Sequence, residues 1–288
     1  MDFAAFGLTR RPFRPTPDTT AYFPAATHEA AVASLREAFE SAEGIALLDG
    51  APGVGKTLAA MRFLEALPPE VPRVIVPGIR FARPSDLYQS ILFDLGAPFH
   101  GLSEQELRLA VADRLLGSLA AGHPTAVVLD EAQHLGSYLL EEVRLLGNLE
   151  TRSAKAAFVV LVASPVLRDR LPAAFAQRVA VRSRVEPLSV EESTRFVARQ
   201  IEACGGDPAE LITHESLSLL ALRCGGVPRV LNQAANVALT LTAAAGEAVV
   251  DCEAVLEALG RLGLSTDVED VEPPKPAAKP RPPKRRSA

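Results

Sequence analysis

The sequence predicts an α/β fold, a parallel sheet covered by helices on both faces, followed by an all-helical domain. Three observations predict it. Short, continuously apolar runs alternate with helical patterns up to residue 186, as expected for strands buried on both faces. A glycine-rich loop occupies one of the strand-to-helix junctions. After Glu186-Pro187-Leu188 the apolar runs stop and helical patterns continue alone.

The elements follow in order. Residues 1–24 form an irregular opening, Phe6-Gly7-Leu8-Thr9-Arg10-Arg11-Pro12-Phe13 with Pro15 and Pro17 beyond. Ala- and Glu-rich residues 25–42 then read as helix. Ile45-Ala46-Leu47-Leu48 is a strand ending in Asp49-Gly50, and Leu58, Met61, Phe63 and Leu64 mark a helix after the glycines. Val74-Ile75-Val76 is the next strand, with helices over 84–95 and 103–120 before Ala126-Val127-Val128-Leu129. A helix over 138–150 precedes the strand Phe158-Val159-Val160-Leu161-Val162, and 179–185 forms a shorter strand. Ser103 with Glu106 and Ser189 with Glu192 have capping-box spacing, which fixes two helix starts without implying chemistry.

Residues 25–186 therefore form the α/β core. Residues 187–264 read as helices over 189–204, 213–223, 228–244 and 251–259, interrupted by Gly205-Gly206 and Gly225-Gly226 as glycines interrupt helix ends. Residues 265–288 lose all periodicity and carry six prolines among lysines and arginines, the pattern of a disordered tail.

Composition bounds the function. With 288 residues, 48% hydrophobic and 23% charged, the chain can bury a sizeable core. Its net charge is −5, with residues 265–288 at +2 and the remainder at −7, so a uniformly basic binding module is excluded. Cys204, Cys224 and Cys252 lack the close pairing of a zinc site or a small disulfide framework. No basic segment feeds an apolar one at the start, and no stretch is long and apolar enough to span a bilayer, so the expected location is cytoplasmic. The five histidines show no ligand spacing and are assigned no chemistry.

The chemistry-bearing signal is Gly50-Ala51-Pro52-Gly53-Val54-Gly55-Lys56-Thr57, a G-x-x-x-x-G-K-T between a strand and the helix that continues through Leu58. Small residues let successive backbone N–H groups turn toward phosphate oxygens, and the helix start aims its unpaired donors at the same place. Lys56 is expected to reach the β- and γ-phosphates of ATP, and Thr57 to offer its hydroxyl to Mg²⁺. A second strand delivers Asp130 and Glu131 to the carboxyl edge of the sheet. Asp130 is read as a Mg²⁺ ligand, direct or through water, and Glu131 as the group that orients the attacking water. Ser164 could place a hydroxyl near the γ-phosphate or cap the next helix. Arg178 or Arg182 could reach a neighbouring subunit's γ-phosphate, and Arg229, opening a helix after Gly225-Gly226-Val227-Pro228, could bend back on the nucleotide.

Further segments narrow the reading: the opening 6–13, Asp130-Glu131-Ala132-Gln133-His134-Leu135 leading to the stretch 142–151, and Gly226-Val227-Pro228-Arg229-Val230-Leu231-Asn232. With these the chain, over about residues 3–262, resembles the AAA+ ATPases, and among them the bacterial group around the secretion ATPase ExeA/GspA and the transposition ATPases TniB and TnsC. The resemblance implies a P-loop NTPase with a three-layer αβα core, five strands and a C-terminal helical lid. It places Ser164 at sensor 1, where family members often show Gln, Arg229 at sensor 2, and Arg178 or Arg182 at the arginine finger. It also implies a homo-oligomer with ATP at the subunit interfaces.

Secretion relatives usually continue past the lid into a transmembrane segment and a peptidoglycan-binding domain, whereas 24 residues follow the lid here, so a role away from the membrane is expected. The expected function is ATP hydrolysis by an oligomer that recruits or remodels a protein partner, with residues 265–288 as a docking peptide. The alternative is an ATP-dependent adaptor on duplex DNA, as in the transposition relatives, with Arg10-Arg11, Arg80 and Arg83 as candidate phosphate contacts.

Overall fold

A computed structural model describes residues 6–14, 19–78, 81–152 and 154–264. The expected tail over 265–288 and the candidate Arg80 lie outside the described residues. Five parallel strands, β1 (Ile45–Gly50), β2 (Arg73–Val76), β3 (Thr125–Leu129), β4 (Ala157–Ala163) and β5 (Val179–Val185), form one sheet in the order β2-β3-β4-β1-β5. The continuous apolar runs have a direct cause in this topology. Because successive side chains alternate between faces, Ile45 and Leu47 of β1 enter one core with Val159 and Leu161 of β4, while Ala46 and Leu48 enter the opposite core with Phe158 and Val160. Both faces of the central strands β3, β4 and β1 are covered, so a polar side chain there carries a cost.

The first face is covered by α3 (Pro84–Asp94), α4 (Glu104–Ala120) and α5 (Ser137–Gly147), through Ile91, Val111 and Val143 among others. The second is covered by α1 (Ala26–Glu40) and α2 (Lys56–Glu65), where Phe39, Phe63 and Phe158 meet edge-to-face with ring centroids 5.8–6.3 Å apart. This is the expected three-layer core. Ser103 and Ser189 accept hydrogen bonds from the Glu106 and Glu192 N–H groups, so both capping boxes form. Three short helices have no counterpart among the predicted elements, α6 (Val166–Arg170), α7 (Ala173–Ala176) and, in the lid, α9 (Pro208–Leu211), each too brief to show a period.

The lid comprises α8 (Val190–Glu202), the single turn α9 (Pro208–Leu211), α10 (His214–Arg223), α11 (Pro228–Ala245) and α12 (Cys252–Arg261) around one apolar core. Leu8, Phe13 and Ala25 are buried in that same core. The opening segment is thus a strap on the lid: Thr9 N–H donates to Cys204 O (2.8 Å), Arg10 to Ala203 O (3.1 Å) and Arg11 Nε to Asn236 Oδ1 (3.1 Å). Within the lid, Leu188 N–H donates to Gly226 O (2.8 Å). Gly226 has φ 69° and lies flat against the Leu188 backbone, so a side chain there would be both strained and obstructed. Among the described residues no helix is long and apolar enough to cross a membrane.

Candidate nucleotide site

The loop between β1 and α2 needs its glycines for two separate reasons. Gly53 and Gly55 take φ 83° and 100°, in the left-handed region that L side chains avoid. A Cβ at Gly53 would also stand 3.0 Å from Val227 Cγ1 and Arg229 Cβ of the lid, and one at Gly55 would stand 2.7 Å from His28 Nε2. The loop is therefore shaped by what packs on both sides of it. Because α2 opens at Lys56, the first N–H groups of this helix have no helical acceptor and face the loop's concave side. Lys56 Nζ folds back to donate to Ala51 O at 2.9 Å. Burial lowers the Lys56 pKa, while the carboxylates of Glu131 and Asp130 pull it back up.

Asp130 follows β3 directly. Its Oδ2 accepts from Thr57 Oγ1 at 2.8 Å, and its Oδ1 accepts from Glu131 N–H at 2.8 Å. Glu131 takes φ 51°, an uncommon conformation for a non-glycine residue. That turn sends the exposed Glu131 side chain across Gly78, whose Cα leaves no room for a Cβ beneath it. The carboxylate then accepts a short hydrogen bond from Gln133 Nε2, and Gln133 Oε1 accepts from Ser164 N–H at 3.0 Å. Arg170 donates to Gln133 O at 2.8 Å, holding the 3-10 turn Ala132–His134 in place.

Residues of the core, the lid and the strap line one cavity of about 530 Å³. Gly53, Gly55, Lys56, Thr57, Leu58, Glu131, Ser164 and Arg229 all face it. Gly50 and Val54 are buried beneath the loop, and Ala51 joins them in shaping it through its bond to Lys56. The lid is locked to the loop by Arg229 N–H donating to Gly53 O at 3.2 Å. Arg178 and Arg182 do not line this cavity. Both are exposed, Arg178 just before β5 and Arg182 in its middle, with Arg182 donating to Ala176 O at 2.9 Å. Arg10 and Arg11, candidate phosphate contacts, line the cavity wall with Arg11 exposed, and Arg83 marks the N-terminus of α3.

Two residues of the site gain their roles only in the structure. Gln133, which lies in the segment 130–135 that carries the resemblance but has no role assigned from the sequence, is one. The other is His28, buried in α1, whose Nε2 lies 2.8 Å from Val54 O. A carbonyl only accepts, so Nε2 carries the proton, and Nδ1 is buried without a hydrogen-bond partner among the described residues. Burial depresses the His28 pKa against the upward pull of Val54 O, Glu192 and Glu29. Between the folded and unfolded pKa values the unfolded chain binds more protons, so this contribution to stability is complete above about pH 6.5 and declines as the pH falls through the folded value. His28→Gln, which can still donate to Val54 O but cannot titrate, is expected to lose less thermal stability than wild type between pH 7 and pH 5.5. Parallel melting curves for the two proteins across that range would refute the assignment.

Residues 39–171 match the model of an AAA domain family. General secretion pathway protein A of Aeromonas hydrophila is 32% identical over 250 residues, covering 84% of this chain and 45% of that protein, so the chain spans about half its length. The ATP-dependent target DNA activator B of Escherichia phage D108 is 27% identical over 233 residues, covering 78% of this chain and 69% of that protein. Among solved structures, Cdc6p of Pyrobaculum aerophilum superposes with a TM-score of 0.71 over 91% of this chain and 71% of its own, at 17% identity, a likeness of fold.

Proposed function

From the match of residues 39–171 to an AAA domain, we propose that the chain binds ATP with Mg²⁺, hydrolyses it, and uses the cycle to assemble with copies of itself and recruit or remodel a protein partner. The observation that carries this is the convergence of Lys56, Thr57 and Glu131 on one cavity roofed by Arg229, with Asp130 bonded to Thr57. In this reading the loop N–H groups and Lys56 hold the phosphates, and Arg229 ties the lid to their position. Thr57 and Asp130 bring two oxygens together at 2.8 Å, the donor type that Mg²⁺ takes when phosphates and water complete its shell. The ion supplies charge neutralisation for the transferring phosphoryl group. Glu131 receives the proton of the attacking water.

Arg178 or Arg182, exposed and outside the chain's own cavity, then acts on the neighbouring subunit's nucleotide, and residues 265–288 dock the partner. The test is an ATPase assay with sizing by light scattering, with and without a slowly hydrolysed ATP analogue. Magnesium-dependent phosphate release and a nucleotide-dependent rise in mass are expected; activity unaffected by chelation with EDTA refutes the assigned Mg²⁺ site.

A second reading, an ATP-dependent adaptor on duplex DNA, is favoured by the 69% coverage of the phage target DNA activator. It predicts duplex binding by the ATP-loaded assembly with an affinity that falls steeply as salt rises, because phosphate contacts release counterions. Absence of DNA association by the assembled protein at low salt eliminates this reading.

A further inference from the structure

We propose that Gln133 is a positioning residue for ATP hydrolysis: its carboxamide ties the Glu131 carboxylate to the backbone N–H of Ser164, so that the water-orienting group and the end of β4 are held as one unit. The inference rests on the ATPase reading above and adds a residue to which neither the loop motif nor the acidic pair assigns a role.

The chemistry of the two ends dictates the amide's orientation. An ionised carboxylate only accepts and a backbone N–H only donates, so Nε2 must face Glu131 and Oε1 must face Ser164, as observed. Gln133 cannot drift from this bridge, because its own carbonyl is held by Arg170 of α6, the helix that begins two residues after Ser164. Buried Ala132 anchors the same turn in the core beneath the sheet.

Glu131 itself has little freedom left. Its backbone is committed to the left-handed turn, and its Cβ and Cγ rest on Gly78. What remains is rotation of the carboxylate. Among the described residues Gln133 is the one hydrogen-bond donor to it, since Thr57 and the Glu131 N–H are both spent on Asp130. A charge-assisted bond of this kind selects one carboxylate orientation out of several. Catalytic groups misplaced by about 1 Å lose on the order of 10²-fold in rate, so the orientation is worth measuring through turnover.

Two substitutions separate the ends of the bridge. Gln133→Leu removes both hydrogen bonds at similar size. Gln133→Glu keeps an oxygen for Ser164 N–H and sets a second carboxylate against Glu131. Both variants are expected to lower kcat by about 10- to 100-fold, with KM and the affinity for a fluorescent ATP analogue within about threefold of wild type. Hydrogen exchange in the nucleotide-free protein supplies the second readout: the Ser164 amide should exchange faster in Gln133→Leu and stay protected in Gln133→Glu. In a Glu131→Gln background, Gln133→Leu should add little to the loss of turnover, because the two residues act as a unit. Unchanged or raised kcat in Gln133→Leu, or a fall in nucleotide affinity matching the fall in kcat, overturns the proposal. A wild-type protein without Lys56-dependent hydrolysis overturns the ATPase reading itself, and the positioning role with it, whatever the exchange data show.

Discussion

Lys56→Ala is expected to weaken ATP binding by about 10- to 100-fold, the range for a lost hydrogen bond to a charged group. The ammonium is half-buried and sits between the loop carbonyl of Ala51 and the carboxylates of Asp130 and Glu131, so it is the cation placed to answer the phosphate charge from the core side. Removing it leaves two acidic side chains facing an anionic ligand. The unliganded fold should survive, since the side chain makes one loop contact and does not join the buried cores. The clean measurement is therefore a pair of melting curves: wild type should gain stability with ATP at concentrations far above its Kd, by about 2.7 kcal/mol at a hundredfold excess, and Lys56→Ala should gain much less. Equal ATP-induced stabilisation in the two proteins would show that the phosphates lie elsewhere. Arginine should not restore function, because its planar fork replaces a compact, mobile ammonium in a confined loop.

Glu131→Gln is expected to separate binding from chemistry. Loss of a positioned general base lowers turnover by about 10²- to 10⁴-fold, whereas nucleotide affinity should hold or rise, because a negative charge has left the site. The amide keeps the size of the carboxylate and can still bond to Gln133, so the turn at φ 51° and the contact with Gly78 persist. The variant should accumulate as an ATP-bound assembly, detectable as a lasting mass increase after ATP addition in place of the transient one of wild type. Hydrolysis at the wild-type rate would remove Glu131 from the role given to it.

The two experiments address residues that were readable before any coordinates, and the reasons are local. A loop that must turn twice through left-handed backbone needs glycine at fixed positions, so the spacing of Gly53 and Gly55 announces it. A strand buried on both faces must be apolar throughout, so acids at its end, such as Asp130 and Glu131 after β3, stand out against it. The capping boxes at Ser103 and Ser189 are similarly short-range. Arg229 was legible because a glycine pair and a proline mark the helix start that carries it.

Other features had no local signature. The strap over residues 6–14 shows no period, and its place on the lid depends on contacts nearly 200 positions away, such as Thr9 with Cys204. Arg10 and Arg11 looked like surface cations because nothing near them in sequence suggests that they wall a cavity. His28 lacks any ligand spacing and gains its role only when α1 packs beneath the loop. Gln133 belongs to the segment 130–135 that carries the resemblance, but its bridging role arises only when β4 brings Ser164 to its oxygen, 31 positions on.

The sequence by itself determined the α/β core, the helical lid, the phosphate loop and the acidic pair. Each follows from steric or hydrophobic demands acting within a few residues, where alternation, glycine placement and capping leave a readable trace. Tertiary structure alone decided that the strap belongs to the lid, that His28 underpins the loop, that Arg178 and Arg182 stand outside their own chain's cavity, and that Gln133 joins Glu131 to Ser164. These depend on which elements become neighbours in space. A hydrogen bond between groups distant in sequence asks only for a donor and an acceptor at about 3 Å, a demand so permissive in residue type that it leaves no pattern along the chain.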